Sequence, residues 1–100
     1  MKLERIAWPE SRAPIESDLR SILLSEGYQV FAWTDPPHAS YTPHSHDHDE
    51  SLWCLDGEIT FGADGRDLTL RAGDRLMLPA DTVHTARTGV AGATYLIGQR

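Results

Sequence analysis

The hydrophobic period changes once along this chain. Between residues 15 and 26 the apolar positions Ile15, Leu19, Ile22 and Leu23 recur at the spacing of one helix face, and Gly27 follows as a C-terminal cap. From residue 28 the period shortens. Tyr28-Gln29-Val30-Phe31-Ala32-Trp33 is dense in aromatic and β-branched side chains and predicts a strand, closed by Asp35-Pro36-Pro37. Further extended segments are predicted at 39–43, 51–55, 58–62, 67–70, 75–78, 83–87 and 93–97. Asp56-Gly57, and Asp64-Gly65 between Ala63 and Arg66, carry the turn signatures that separate some of them. Roughly eight short strands at regular spacing predict an all-β antiparallel barrel or sandwich, preceded by one short helix. Residues 1–14 read as an irregular arm anchored by Trp8 and Ile6, with Pro14 in the first turn of the helix. No internal repeat interrupts the pattern, so residues 1–100 are expected to form one domain, with the arm and helix in 1–27 and the β-barrel in 28–98.

Composition narrows the partners. One hundred residues, 40% of them hydrophobic and 24% charged, suffice for a core without disulfides. A net charge of −6 removes the basic footprint that nucleic acid requires and disfavours an anionic membrane surface. Cys54 is the one cysteine, which excludes an internal disulfide and fits a reducing cytoplasm. The N-terminal residues have no apolar core of a secretory signal, and no stretch approaches the roughly 18 apolar residues of a membrane span.

The candidate chemistry lies in Tyr41-Thr42-Pro43-His44-Ser45-His46-Asp47-His48-Asp49-Glu50, which holds three of the five histidines. In a strand, His44 and His46 leave the same face, and Glu50 reaches that face if the chain stays extended or loops tightly. Two imidazoles and a carboxylate converging on one point would bind a divalent transition metal. The same run would also serve as a plain solvated loop, and taken alone it does not separate the two. A second segment, Gly73-Asp74-Arg75-Leu76-Met77-Leu78-Pro79-Ala80-Asp81-Thr82-Val83-His84, places a turn, a strand, another turn and one more histidine in sequence.

Together the two segments resemble the cupin superfamily, whose motifs run G-x5-H-x-H-x3–4-E-x6-G and G-x5-P-x-G-x2-H-x3-N. His44, His46, Glu50 and Gly57 fill the first at the family spacings; Gly73, Pro79 and His84 fill the second. There are three departures. His38 stands where the first motif opens with glycine. Asp81 replaces the second motif's inner glycine, which aspartate can do because it tolerates left-handed backbone. Thr88 replaces the closing asparagine, which in the family is not a ligand. The resemblance spans about residues 28–98. It implies a double-stranded β-helix, or jelly-roll barrel, holding a metal inside through His44, His46, Glu50 and His84. Fe, Mn, Ni, Co, Cu and Zn all suit that set. It further implies a small-molecule ligand at the open coordination positions and, among the family's activities, a dioxygenase, isomerase or related enzyme. The alternatives are a noncatalytic small-ligand-binding barrel or a metal that only fastens the fold.

The remaining residues receive narrower expectations. His48 shares the parity of His44 and His46 and reads as a spare ligand, a supporting group or a solvated side chain. It is also the only uncommitted base in the motif. Leu52 and Cys54 share Glu50's parity and are candidates for lining the pocket, Cys54 reading first as a small core residue. Tyr41, an odd step from His44, is expected to face away from the metal. Asp47 and Asp49 read as loop surface that makes the mouth more negative. Tyr28, Phe31, Trp33 and Trp53 read as core or interface aromatics, and the strand at 28–33 suits both the helix and a homodimer edge. One of Met77 and Leu78 should enter the barrel.

Overall fold

The computed structural model describes residues 1–100. The helical period yields α1 (Glu16–Ser25), with Ile15 as its N-cap, so Pro14 lies just outside the helix and not in its first turn. Gly27 closes it at φ +90°. The Tyr28 N–H donates to Leu23 O (3.1 Å) and the Gly27 N–H to Leu24 O (3.0 Å), the paired bonds of a Schellman motif. Only Leu19 and Leu23 of the predicted face are buried; Ile15 and Ile22 remain half-exposed. With Tyr28, Trp53 and Leu96, Leu19 and Leu23 form a small core between the helix and the sheet.

The strands are β1 (Glu4–Ile6), β2 (Gln29–Asp35), β3 (Ser40–His44), β4 (Glu50–Ala63), β5 (Arg66–Arg71), β6 (Arg75–Leu78) and β7 (His84–Gln99). All pairings are antiparallel. Two corrections to the sequence reading matter here. Part of the N-terminal arm is a strand, β1, laid along β6. The segments expected at 51–55 and 58–62 are one strand, as are those at 83–87 and 93–97. Asp56-Gly57 therefore makes no hairpin. Gly57 takes φ +75° inside β4, and the register with β7 slips around it, between Cys54 and Asp56 and between Gly57 and Ile59. An extra residue absorbed without reversing the chain is a bulge, which bends a strand and increases its twist. Asp64-Gly65 is the true hairpin: both residues have positive φ, +52° and +70°, as a two-residue type I′ turn requires.

The bent β4–β7 pair organises the barrel. It runs from Glu50↔Gln99 to Ala63↔His84. One half is flanked by β6 and β2, the other by β5 and β3. Inward-facing residues of both halves, among them Leu52, Leu76, Leu78 and Tyr95 from one and Ile59, Phe61, Leu70 and Ala86 from the other, form a single core. Leu78 enters it, whereas Met77 points to Ser51 on the other face. This is the double-stranded β-helix that the motifs imply.

Buried polar groups staple the outside. Asp74 accepts from the backbone N–H of Trp8 (2.9 Å) and of Arg71 (3.0 Å), and Trp8 lies on Gly73, where a Cβ would come within 2.2 Å of the indole. Trp8 thus anchors the arm; Ile6 is exposed and does not. Arg75 donates to Ser51 Oγ (2.6 Å) and to Glu26, and its guanidinium lies 4.6 Å over the Trp53 ring, tying the helix end to the sheet.

Gly57 and Gly65 provide a matched test. Both have positive φ, but a Cβ on Gly57 would fall 2.1 Å from Gly92 O, while one on Gly65 meets nothing within 4 Å. Gly65→Ala is expected to cost about 1 kcal/mol. Gly57→Ala is expected to exceed the roughly 1–3 kcal/mol of left-handed strain alone. Urea denaturation compares them, and equal losses would refute the close-packed bend. Cys54 supplies a second expectation. It is fully buried, and burial pushes its thiol from the ordinary 9.0 up to about 11. The stability gained by keeping it neutral is complete below pH 9.0 and lost as pH rises towards about 11. A thiol reagent at pH 8 is expected to label unfolded but not native protein.

Candidate metal centre

Three elements meet at the mouth of the barrel. His44 is the last residue of β3 and stands in register with His84, the first of β7. Their ring centroids are 4.3 Å apart. His46 lies just beyond the end of β3, so strand parity does not place it. Instead its carbonyl accepts from the Asp81 N–H (2.7 Å), and its ring sits 5.1 Å from His44 and 5.3 Å from His84. Glu50 opens β4 and is 6% exposed. Its Oε1 is 3.8 Å from His46 Nε2.

Hydrogen bonding decides which nitrogens face inward. His44 Nδ1 lies 2.6 Å from Thr42 O, and His84 Nδ1 lies 2.9 Å from Thr82 O. A carbonyl can only accept, so each Nδ1 carries a proton and Nε2 is the nitrogen left to serve as a ligand. Ligand atoms of His44, His46 and His84 all lie within 4.8 Å of one another. Burial, reinforced by the neighbouring imidazoles His44 and His46, holds the His84 pKa below its usual value. Three imidazoles gathered this closely are a donor set that fits a divalent transition metal.

Glu50 is held from its other side. Its Oε2 accepts from Gln99 Nε2 (3.2 Å) and faces His48 Nε2 at the same distance, leaving Oε1 towards His46. His48 Nδ1 is 3.3 Å from Asp47 Oδ1. Burial alone would lower the His48 pKa, but the bonds to Glu50 and Asp47 and their charges outweigh it, and the net shift is upward. His46, His48 and Glu50 also form a cluster of metal-binding type. Asp49, expected as loop surface, has a structural role. Its carboxylate accepts from the Ala80 N–H (2.8 Å) and fastens the histidine loop to the Pro79–Asp81 turn. The two motif glycine positions that this chain fills with other residues do adopt left-handed backbone: His38 has φ +56° and Asp81 φ +63°. Thr88 takes the asparagine position by accepting from the Ala39 N–H and donating to Pro36 O.

In front of the cluster lies a cavity of about 280 Å³. It is lined by Trp33, Tyr41, His44, His46, Glu50, Leu52, Phe61, His84, Ala86, Tyr95, Ile97 and Gln99. Leu52 lines it as its parity predicts. Cys54 does not reach it and belongs to the core. Tyr41, expected to face away, lines it because β3 slips register between Tyr41 and His44. Trp33, read as a core or interface aromatic, lines it too, while Trp53 and Tyr28 are core. Gln99 carried no sequence signal; its place follows from the Glu50↔Gln99 register. A larger groove of about 690 Å³ between β1 and β5 is a weaker candidate. Its arginines are already committed: Arg5 to Thr69 O and Asp74, Arg66 to Leu3 O, Arg71 to Glu58.

Comparison with known proteins agrees with this geometry. The Cupin domain family matches residues 31–95. Quercetin 2,3-dioxygenase of Bacillus subtilis is 44% identical over 45 residues, which is 44% of this chain but only 13% of that enzyme. Among solved structures, KdgF from Halomonas sp. superposes with a TM-score of 0.64 at 24% identity, covering 73% of this chain and 69% of that one. A protein of unknown function from Rhizobium leguminosarum does so with a TM-score of 0.67 at 19% identity, covering 74% and 70%. Identities this low speak for the fold alone. With the motif residues, the barrel and the family match in agreement, the chain belongs to the cupin family.

Proposed function

We propose that His44, His46, Glu50 and His84 hold one divalent transition metal ion, drawn from Fe, Mn, Ni, Co, Cu or Zn, and that the protein is a metal-dependent enzyme acting on a small oxygen-bearing molecule. The observation that carries this is the convergence of three imidazoles whose Nδ1 protons are already spent on backbone carbonyls or whose rings face the same point. When bound, such an ion polarises ligand oxygens or activates dioxygen. The chain's own part is to position and exclude. Thr42 O and Thr82 O fix two tautomers. Gln99 and His48 occupy Glu50 Oε2 and leave Oε1 free. Leu52, Phe61, Ala86 and Ile97 supply apolar lining to the cavity.

The cavity has no idle acid or base. His48 is spent on Glu50 and Asp47, and the hydroxyls of Tyr41 and Tyr95 are spent on Asp35. An isomerase must move a proton with a positioned group, whereas oxygenase chemistry leans on the metal. That favours a dioxygenase within the enzymatic reading, in keeping with the partial likeness to an enzyme of that name. The same lack of a base supports a second reading, a noncatalytic small-ligand binder. A purely structural metal fits less well, because the cavity in front of the cluster would then have no use. For context, the half-exposed Phe31 on the edge strand β2 supports a homodimer, the lone buried thiol a reducing cytoplasm, and the acidic charge a protein without nucleic-acid or membrane partners.

Elemental analysis of tag-free protein is expected to find near-stoichiometric metal, and only traces in His46→Ala. A metal-free wild type at neutral pH would sink the proposal. Gln99→Leu keeps all four candidate ligands but removes one of the two groups that hold Glu50 Oε2, and is expected to weaken metal affinity by about tenfold in competition with a chromogenic chelator. Oxygen uptake in a substrate screen then separates the enzyme from the binder.

A further inference from the structure

Asp35 is the one buried carboxylate near the cavity that the metal reading leaves unused. It closes β2, is 5% exposed, and is not among the cavity's lining residues. Three aromatic side chains that do line the cavity send their polar tips to it. Oδ1 accepts from the Tyr41 hydroxyl and from Trp33 Nε1 (3.0 Å), and Oδ2 accepts from the Tyr95 hydroxyl (2.7 Å). The three come from different strands: β2, β3 and β7. Trp33 and Tyr95 stand opposite each other in register, and Tyr41 is opposite Ala86 on the inward row.

Each of these side chains has an apolar ring and one polar group. With every polar tip drawn into Asp35, what faces the cavity on that side is ring surface. The imidazoles and Glu50 line the same cavity, and the Tyr41 ring lies 6.4 Å from that of His44. The cavity therefore pairs a polar cluster with aromatic ring surface beside it, and at about 280 Å³ it suits a small ligand. A half-exposed tyrosine and tryptophan would otherwise turn their donors to water or to the ligand, so the arrangement depends on the carboxylate that holds them.

We infer that Asp35 is a positioning residue for an aromatic wall formed by Trp33, Tyr41 and Tyr95, and that the site thereby selects ligands carrying a flat apolar body behind an oxygen-chelating head. This rests on the metal reading of the same site and adds the ligand class. The acceptor count also predicts how substitutions differ. Asp35→Ala leaves three donors without a partner. Asp35→Asn keeps an oxygen for Trp33 and Tyr41, and its amide can donate to the Tyr95 oxygen, so the wall is retained.

Two hydroxamates share one chelating head and differ in the body: acetohydroxamate carries a methyl group, benzohydroxamate a phenyl ring. Calorimetry on the zinc-loaded full chain is expected to give benzohydroxamate an advantage of at least about tenfold in the wild type. Asp35→Ala is expected to bring the two within about threefold of each other at unchanged zinc content, with loss of near-ultraviolet aromatic dichroism; Asp35→Asn is expected to retain the preference. A structural role alone would lower thermal stability and leave the ratio untouched. Should Asp35→Ala fail to fold, Tyr41→Phe cuts one tether at a half-exposed position and is expected to reduce the ratio. Equal binding of both probes by zinc-loaded wild type, or an undiminished ratio in a folded Asp35→Ala or in Tyr41→Phe, overturns the inference. Failure to take up zinc at all instead overturns the metal reading beneath it.

Discussion

Everything in this barrel depends on one place where backbone lies directly on backbone. Gly57 in β4 rests against Gly92 in β7, and Gly92 in turn rests against the carbonyl of Asp35, where a Cβ would fall 2.4 Å away. Three chain segments meet there without a side chain between them. The contact lets the long β4–β7 pair bend, which turns its two halves into opposing walls and brings Glu50 and His84 to a common mouth. The same contact sets the end of β2, and with it the carboxylate that gathers the aromatic tips. Fold and cavity thus share one steric constraint. The residue type at Gly57 was legible as a motif position; its reason, a bend and not a turn, was not.

The polar interior follows a consistent rule. Asp35, Glu50, Asp74, Arg75 and Thr88 are all buried, and each bonds two or more partners on other elements. A buried polar group costs stability unless it is paired, so each one marks a place where strands must be held to a set position. Tyr28 Oη is the exception: buried and without a partner, it places its ring between Leu23 and the Arg100 guanidinium. There the ring's apolar area and the cation over its face outweigh one unsatisfied hydroxyl.

How much the sequence revealed depended on whether the signal was local. Spacing marked His44, His46, Glu50 and His84 as a set; the structure groups the three histidines, with Glu50 beside His46 in an adjoining cluster. It also marked the Asp64-Gly65 hairpin and the Gly27 cap, because turn and cap chemistry act over a few residues. Strand parity, by contrast, failed wherever a register slip intervened. Parity points Tyr41 away from the cavity, and the slip in β3 turns it inward; Asp56-Gly57 has the signature of a reversal, and the β4–β7 pair absorbs it as a bulge. Cys54 has the right parity but sits a layer below the cavity, and parity carries no depth. Gln99 and Asp35 were invisible because what matters about them is a partner 49 or 60 positions away: Glu50 for Gln99, and Tyr95 for Asp35.

Those separations bear on how the protein comes into being. Glu50 pairs with Gln99 and with Leu78, and His44 with His84, so no pair of neighbouring elements contains the full cluster. Closing such long loops is entropically slow, and folding rates fall as contacts become less local. The four candidate ligands therefore become a site only after β7 has zipped onto β4 and β3. Until that moment an ion could meet only the histidine run of 44–48, a flexible chelator with no fixed geometry. A metal held as proposed would thus be chosen by the finished barrel, not by the unfolded chain.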